Sequence, residues 1–196
     1  MTTKIQKSKE YAEKIYFALD GRQIDMNNKK ELIVTGFLSL SREHHSSIIL
    51  LVEKGVYSSA FALLRPLFES VYRGLWVSMV ATDEELEKIY NEEYKFSPQL
   101  WKYAEDIDEK NETNTFHKRL KQKASFLNGM THGGIEQLVR QFSQNGNFVQ
   151  PSFSDSDLRV LLKDINALIG IFLINYSNYQ SDNKLEVLGH KILGNQ

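Results

Sequence analysis

The sequence predicts an all-α fold, and three observations carry that reading. Pro occurs only three times, at Pro66, Pro98 and Pro151. No alternating apolar and polar run of convincing strand length is present. Apolar residues instead recur at three- and four-residue spacing through most of the chain, as one face of a helix requires. The 196 residues suffice for one domain with a substantial core. No repeat or low-complexity linker divides them. The expected architecture is therefore a single domain over 1–196, a helical bundle built on a long antiparallel helix hairpin.

The elements follow in order. Residues 3–19 carry a loose stripe of Ile5, Ala12, Ile15, Tyr16 and Leu19, and Asp20-Gly21 ends it. Asn28 with Glu31 resembles a capping pair that opens a helix over 28–54, with Gly55 as its stop. Residues 57–81 form the most apolar segment, with Phe61, Leu64, Phe68, Val71, Leu75 and Met79 at helical spacing. Pro66 lies inside it and should kink it. The short link at Val56 makes these two helices an antiparallel hairpin. Thr82 to Glu85 reads as a capping box for a short acidic helix to about Tyr94. Ser97-Pro98 opens a helix carrying Leu100, Trp101 and Ala104, while 105–114, acidic and polar, reads as an exposed loop. A further helix starts near Thr115, breaks at Gly133-Gly134 and resumes over 135–142. Residues 143–152 read as a loop. Ser154 and Asp157 cap the last long helix, to about Tyr179. An amphipathic tail over 185–193 offers a surface to a partner subunit.

Composition excludes several classes. Hydrophobic residues make up 41% and aromatics 11%, too many for a disordered chain. Lys and Arg total 24 against 25 Asp and Glu, so bulk charge favours no polyanionic partner and any electrostatic footprint must be local. The absence of Cys removes disulfides and thiolate metal sites and suits a reducing compartment. The first ten residues lack the apolar run of a signal peptide. The most apolar segment holds Arg65, Glu69 and Arg73, which a membrane-spanning helix would rarely carry. A soluble, cytoplasmic protein without membrane contact is expected.

The stretch 126–134, F-L-N-G-M-T-H-G-G, is the first candidate site. It joins one His, one Asn and three Gly within nine residues. Gly inside a helix costs roughly 0.5–1 kcal/mol relative to Ala, so a local reason for it should exist. Asn128 and His132 are four apart and share a helix face. His132 can act as a general base or acid, with Asn128 orienting it or binding substrate. The alternative is a helix end at which Asn caps and His bonds a loop carbonyl. Arg65, Glu69 and Arg73, each four apart, form one line on an otherwise apolar helix. They make either an ion-pair ladder or the lining of a site. Lys118, Arg119, Lys121 and Lys123 form the only dense basic run, which suits phosphate or a solvated helix face. His44 and His45 are adjacent, so only one of them can face the interior. His44, Glu69 and His132 lack metal-ligand spacing, and neither a metal nor another cofactor is expected. Phosphate-loop, nucleophile-elbow and dinucleotide fingerprints are absent.

The hairpin with R-P-L-F-E on its second helix, followed by N-G-M-T-H-G-G, resembles the HEPN superfamily, and more narrowly its bacterial members related to abortive-infection proteins. The resemblance covers about 39–77 and 126–140. It implies a dimerising helical bundle and a metal-independent endoribonuclease of phage defence or toxin–antitoxin systems. It implies RNA as substrate, a homodimer with two motifs at one cleft, and a protein partner encoded nearby. The family motif is an Arg followed by a polar residue, with a His four to six positions on. His132 matches the His and Asn128 the polar residue, but the Arg position falls on Leu127. Two expectations compete. Arg65 or Arg73 supplies the guanidinium in space, with Glu69, His44 and Lys121 contributing to binding, or the site is degenerate and the protein is an interaction module.

Overall fold

The computed structural model describes residues 1–142, 148–149, 151–180 and 182–194 of the chain. Among these the protein is all-α, with a single isolated bridge between Phe142 and Val149. The helices are α1 (Thr2–Leu19), α2 (Lys29–Glu53), α3 (Tyr57–Ala62), α4 (Leu64–Met79), α5 (Asp83–Tyr90), α6 (Leu100–Lys110), α7 (Thr115–Thr131), α8 (Ile135–Leu138), α9 (Asp155–Gln180) and α10 (Asn183–Gly194). A 3-10 turn, Val139–Gln141, follows α8. No helix among the described residues is long and apolar enough to cross a membrane.

The centre is the expected hairpin, closed by Gly55 with φ of 74°. Two contacts set its direction. Ser41 donates to the Ser70 hydroxyl at 2.9 Å, and Phe37 lies against Gly74. One index falls as the other rises, so α2 and α4 run antiparallel. α9 covers the pair, and Leu38, Ile48, Leu67, Phe68, Val71, Leu75, Ile165 and Phe172 are buried where the three meet. The α6–α7 hairpin also packs against α4, and α1 lies on α2 and α9.

Local signals explain most of the boundaries. The Asn28 side chain accepts from the Glu31 N–H, and Thr82 and Glu85 form a reciprocal capping box. The Ser154 hydroxyl accepts from the Asp157 N–H while Asp157 accepts from Ser154. Pro66 acts more sharply than a kink. Its missing N–H and its ring remove the bond to the Ala62 carbonyl, so α3 ends there and α4 begins after Leu63. Pro66 then sits in the first turn of α4, where an N–H has no helical partner anyway.

Three expectations need correction. Residues 105–114 are not a loop: α6 continues to Lys110, and Ile107 and Asp108 are buried. Asp108 is polar because it caps its neighbour. Its carboxylate accepts from the Thr113 hydroxyl and from the N–H groups of Thr115, Phe116 and His117, at the start of α7. Burial pushes this carboxyl up, but those bonds together hold it below its ordinary value. Second, the acidic helix stops at Tyr90 rather than near Tyr94. Third, the tail does not hold its apolar face free for a partner. Leu185 and Ile192 are buried, and Gly189 approaches α9 so closely that a Cβ there would lie 2.8 Å from the Gly170 carbonyl. The loop expected at 143–152 falls largely outside the described residues.

His45, not its neighbour His44, is the interior member of the pair. Asn166 donates to Ser8 at 3.0 Å, so its carbonyl oxygen faces His45 Nε2, 2.9 Å away, and accepts that proton. α2, α9 and α1 are thereby tied together. His45 Nδ1 is buried without a partner among the described residues, and burial lowers the imidazole to about 4. The unfolded chain takes up this proton near 6.5, before the folded protein does. Stability is therefore full above that value and falls as pH drops toward 4. Denaturation midpoints between pH 7 and 4 are expected to show a loss on the order of 3 kcal/mol. His45→Gln is expected to be less stable at pH 7 and to lose most of this slope.

Gly74 sets a packing limit. A Cβ there would lie 2.2 Å from the Phe172 ring and 2.9 Å from Phe37 Cβ. Gly74→Ala is expected to destabilise the fold by about 1–3 kcal/mol despite its better helix propensity, as urea denaturation would measure.

Candidate functional site

The site forms where the start of α4 meets the end of α7. Arg65 is the second residue of α4, placed there by the break that Pro66 imposes. The Ala62 carbonyl, released by Pro66, faces the Thr131 hydroxyl at 3.4 Å. That hydroxyl lies closer, 2.8 Å, to the Leu127 carbonyl of its own helix. The break therefore contacts the last turn of α7. Two further contacts hold α3 to the chain beyond α7: Gln137 Nε2 donates to the Ser58 carbonyl and Gln141 Nε2 to the Ser58 hydroxyl.

The glycines explain the end of α7. Gly133 has φ of 64°, and the Gly134 N–H returns to the Gly129 carbonyl at 2.8 Å, a closure that needs the left-handed conformation. Gly129 admits the Glu136 carboxylate, which would lie 2.0 Å from a Cβ. It is the chain itself, folding back on α7, that approaches these glycines.

This geometry brings Asn128 and His132 to Arg65. Arg65 Nη1 donates to Asn128 Oδ1 at 2.5 Å and lies 2.9 Å from His132 Nε2. A guanidinium only donates, so Nε2 accepts and the neutral imidazole carries its proton on Nδ1. Arg65 Nε donates to Glu69 Oε1 at 2.9 Å, and Arg73 pairs with the other oxygen at 3.1 Å. Arg65 Nη2 makes no hydrogen bond among the described residues. Asn128 and His132 are exposed, whereas the Arg65, Glu69 and Arg73 side chains are only about a fifth exposed.

Arg65, Asn128 and His132 thus converge, with Glu69 orienting Arg65. Arg73 reaches Glu69 and lies over the Phe96 ring, and it makes no bond to Asn128 or His132. His44 is half-buried on α2 and forms no hydrogen bond or ion pair with the cluster. Burial, partly opposed by Glu43, lowers its pKa. Lys121 is exposed on the face of Asn128, two turns up α7, or about 10 Å along the axis. The rest of the basic run divides. Arg119 and Lys123 both pair with Asp164 of α9, at 3.5 and 2.5 Å, while Lys118 is exposed like Lys121. Leu127 is buried in the core. No group of three His, Asp or Glu placed to hold a metal ion occurs among the described residues.

Sequence reasoning missed the surface beside Arg65. An apolar cleft of about 160 Å³ opens there between the start of α6 and α7. Pro98, Leu100, Trp101 and Leu120 line it together with Arg65 and Asn128. Trp101, which the sequence placed on this helix without assigning it a face, is 39% exposed while Ala104 is fully buried. A Trp two positions from the first buried residue of its helix was the available signal.

Residues 38–184 match the model of a family of unknown function (DUF6988), and the chain belongs to that family. No curated protein and no solved structure matches the chain.

The turn yields a direct test. Gly133→Ala places a Cβ on a left-handed residue and is expected to cost about 1–2 kcal/mol in urea denaturation. Gly36→Ala, at a right-handed helical position with open space around it, is expected to be neutral or stabilising.

Proposed function

We propose that the chain is a HEPN-like, metal-independent endoribonuclease whose motif arginine is supplied from another helix by Arg65. One observation carries this reading: a single guanidinium nitrogen contacts both Asn128 and His132, the two residues that match the motif. The Arg65 Nη2 donors remain available to a phosphate oxygen. Once a phosphate engages Arg65, the His132 Nε2 lone pair faces the same place as the substrate. His132 Nε2 takes the proton of a ribose 2′-hydroxyl. The 2′-oxygen forms a bond to the adjacent phosphorus, the bond from phosphorus to the 5′-oxygen breaks, and water protonates that oxygen. The products are a 2′,3′-cyclic phosphate and a 5′-hydroxyl. Arg65 neutralises the charge that builds on the phosphoryl oxygens, and Glu69 keeps its guanidinium in place. A homodimer, a cytoplasmic setting in phage defence or a toxin–antitoxin pair, and a partner encoded nearby belong to the same proposal.

A second reading, an inactive binding module, rests on a specific observation too. The lone pair that a base needs is itself hydrogen-bonded to Arg65, and the motif position at Leu127 is core.

Incubation of purified protein with single-stranded RNA in a chelator separates the two. Cleavage leaving cyclic phosphate ends is expected. His132→Ala and Arg65→Ala are each expected to reduce it by roughly 10²-fold or more with the fold retained. Uncleaved RNA with the unaltered chain, together with stable capture of a co-encoded protein, would favour the second reading. Full activity in His132→Ala would end the first.

A further inference from the structure

The apolar cleft beside Arg65 has no part in the chemistry above, yet it shares Arg65 and Asn128 with the site. A cleft used only for packing would be closed by its neighbours. This one holds a partly exposed indole, and Lys102 Nζ lies 5.8 Å from the Trp101 ring centroid. Its volume, about 160 Å³, is below the roughly 300–1,000 Å³ of sites for drug-sized ligands and restricts the occupant to something the size of one flat ring system. The occupant must also carry an anion, because the cleft opens onto a guanidinium with free donors. An aromatic ring joined through a short linker to a phosphate meets both conditions. Unpaired bases are held in this way by other proteins, stacked on exposed aromatic side chains beside cations.

We infer that Trp101 is the stacking platform for one unpaired nucleobase, the one adjoining the phosphate bound by Arg65, and so sets substrate preference at this site. The inference rests on the phosphate-binding role of Arg65, but not on catalysis. Trp101 is a specificity-determining residue here, since it touches the base and none of the reacting atoms. Lys102 adds a second cation beside that base. The substrate class is then single-stranded rather than duplex RNA, because a paired base cannot leave its stack to enter the cleft without an added cost.

The test uses the full chain and isothermal titration calorimetry, which reads binding in every variant, with intrinsic tryptophan fluorescence of the unaltered chain as a second readout; Trp76, buried in the core, contributes a constant background to that emission. The probes are adenosine and cytidine 5′-monophosphate, ribose 5-phosphate and inorganic phosphate. The nucleotides are expected to quench emission and to bind roughly ten-fold or more tighter than ribose 5-phosphate, as one stacked base contributes. Trp101→Ala is expected to abolish that difference, and Trp101→Phe to retain most of it. Arg65→Ala is expected to weaken every phosphate-bearing probe alike. Equal binding of nucleotide and ribose 5-phosphate by the unaltered chain would overturn the inference. So would a difference that persists in Trp101→Ala. Nucleotide discrimination without RNA cleavage would uphold the base site while discarding the ribonuclease. Cleavage whose base preference is unchanged in Trp101→Ala would do the reverse.

Discussion

Three hydrogen bonds from one guanidinium hold the candidate site together. Arg65 reaches Glu69 on its own helix and Asn128 and His132 at the end of another, and among the described residues no other charged side chain bonds across that junction. That junction depends on backbone features that precede it. Pro66 ends α3 and places Arg65 in the first turn of α4. Gly133 ends α7 one residue beyond His132. A continuous helix through Pro66, or through Gly133, would place at least one of the three side chains elsewhere. The unfavourable residues in both helices are therefore the ones that position the favourable contacts.

The electrostatics of the junction follow from its partial burial. Two arginines flank Glu69 at helical spacing, with side chains about a fifth exposed. A shared carboxylate at this spacing fixes where the two guanidiniums point. A chain of interactions then runs from Phe96 through Arg73 and Glu69 to Arg65 and the exposed His132. Half of the basic run on α7 serves another purpose, since Arg119 and Lys123 anchor α7 to Asp164 of α9. The α7 helix is thus held by charge at one end and presents its Asn and His at the other.

Which of Arg65 and Arg73 meets the Asn128–His132 pair was left open by the sequence, whereas the fold class, the central hairpin, the line of charges and that pair were legible in it. Each rests on local spacing: the apolar periodicity of α2 and α4, the four-residue line of charges, and the four-residue interval in the motif. What was not legible depended on partners distant in the chain. Asp108 looks like one more acid in a polar run, because the N–H groups it caps belong to the next helix. Trp101 has no face assigned by pattern, because its exposure is set by how α6 meets α7. The tail reads as a partner surface until Gly170 and Gly189 let it lie on α9. His44 and His45 cannot be told apart by pattern, since burial depends on Asn166, which lies 121 residues away from His45.

We propose that Arg65 completes, in space, the motif that Leu127 leaves incomplete. The most direct measurement is the ¹⁵N spectrum of the His132 ring in the full chain, with and without a phosphate monoester. The Nδ1–H tautomer is expected in the free protein, with the Nε2 resonance moving when phosphate binds and Arg65 turns toward it. In Arg65→Ala the phosphate response should vanish. An Nε2–H tautomer, or a ring whose spectrum ignores both the phosphate and the loss of Arg65, would contradict the proposal.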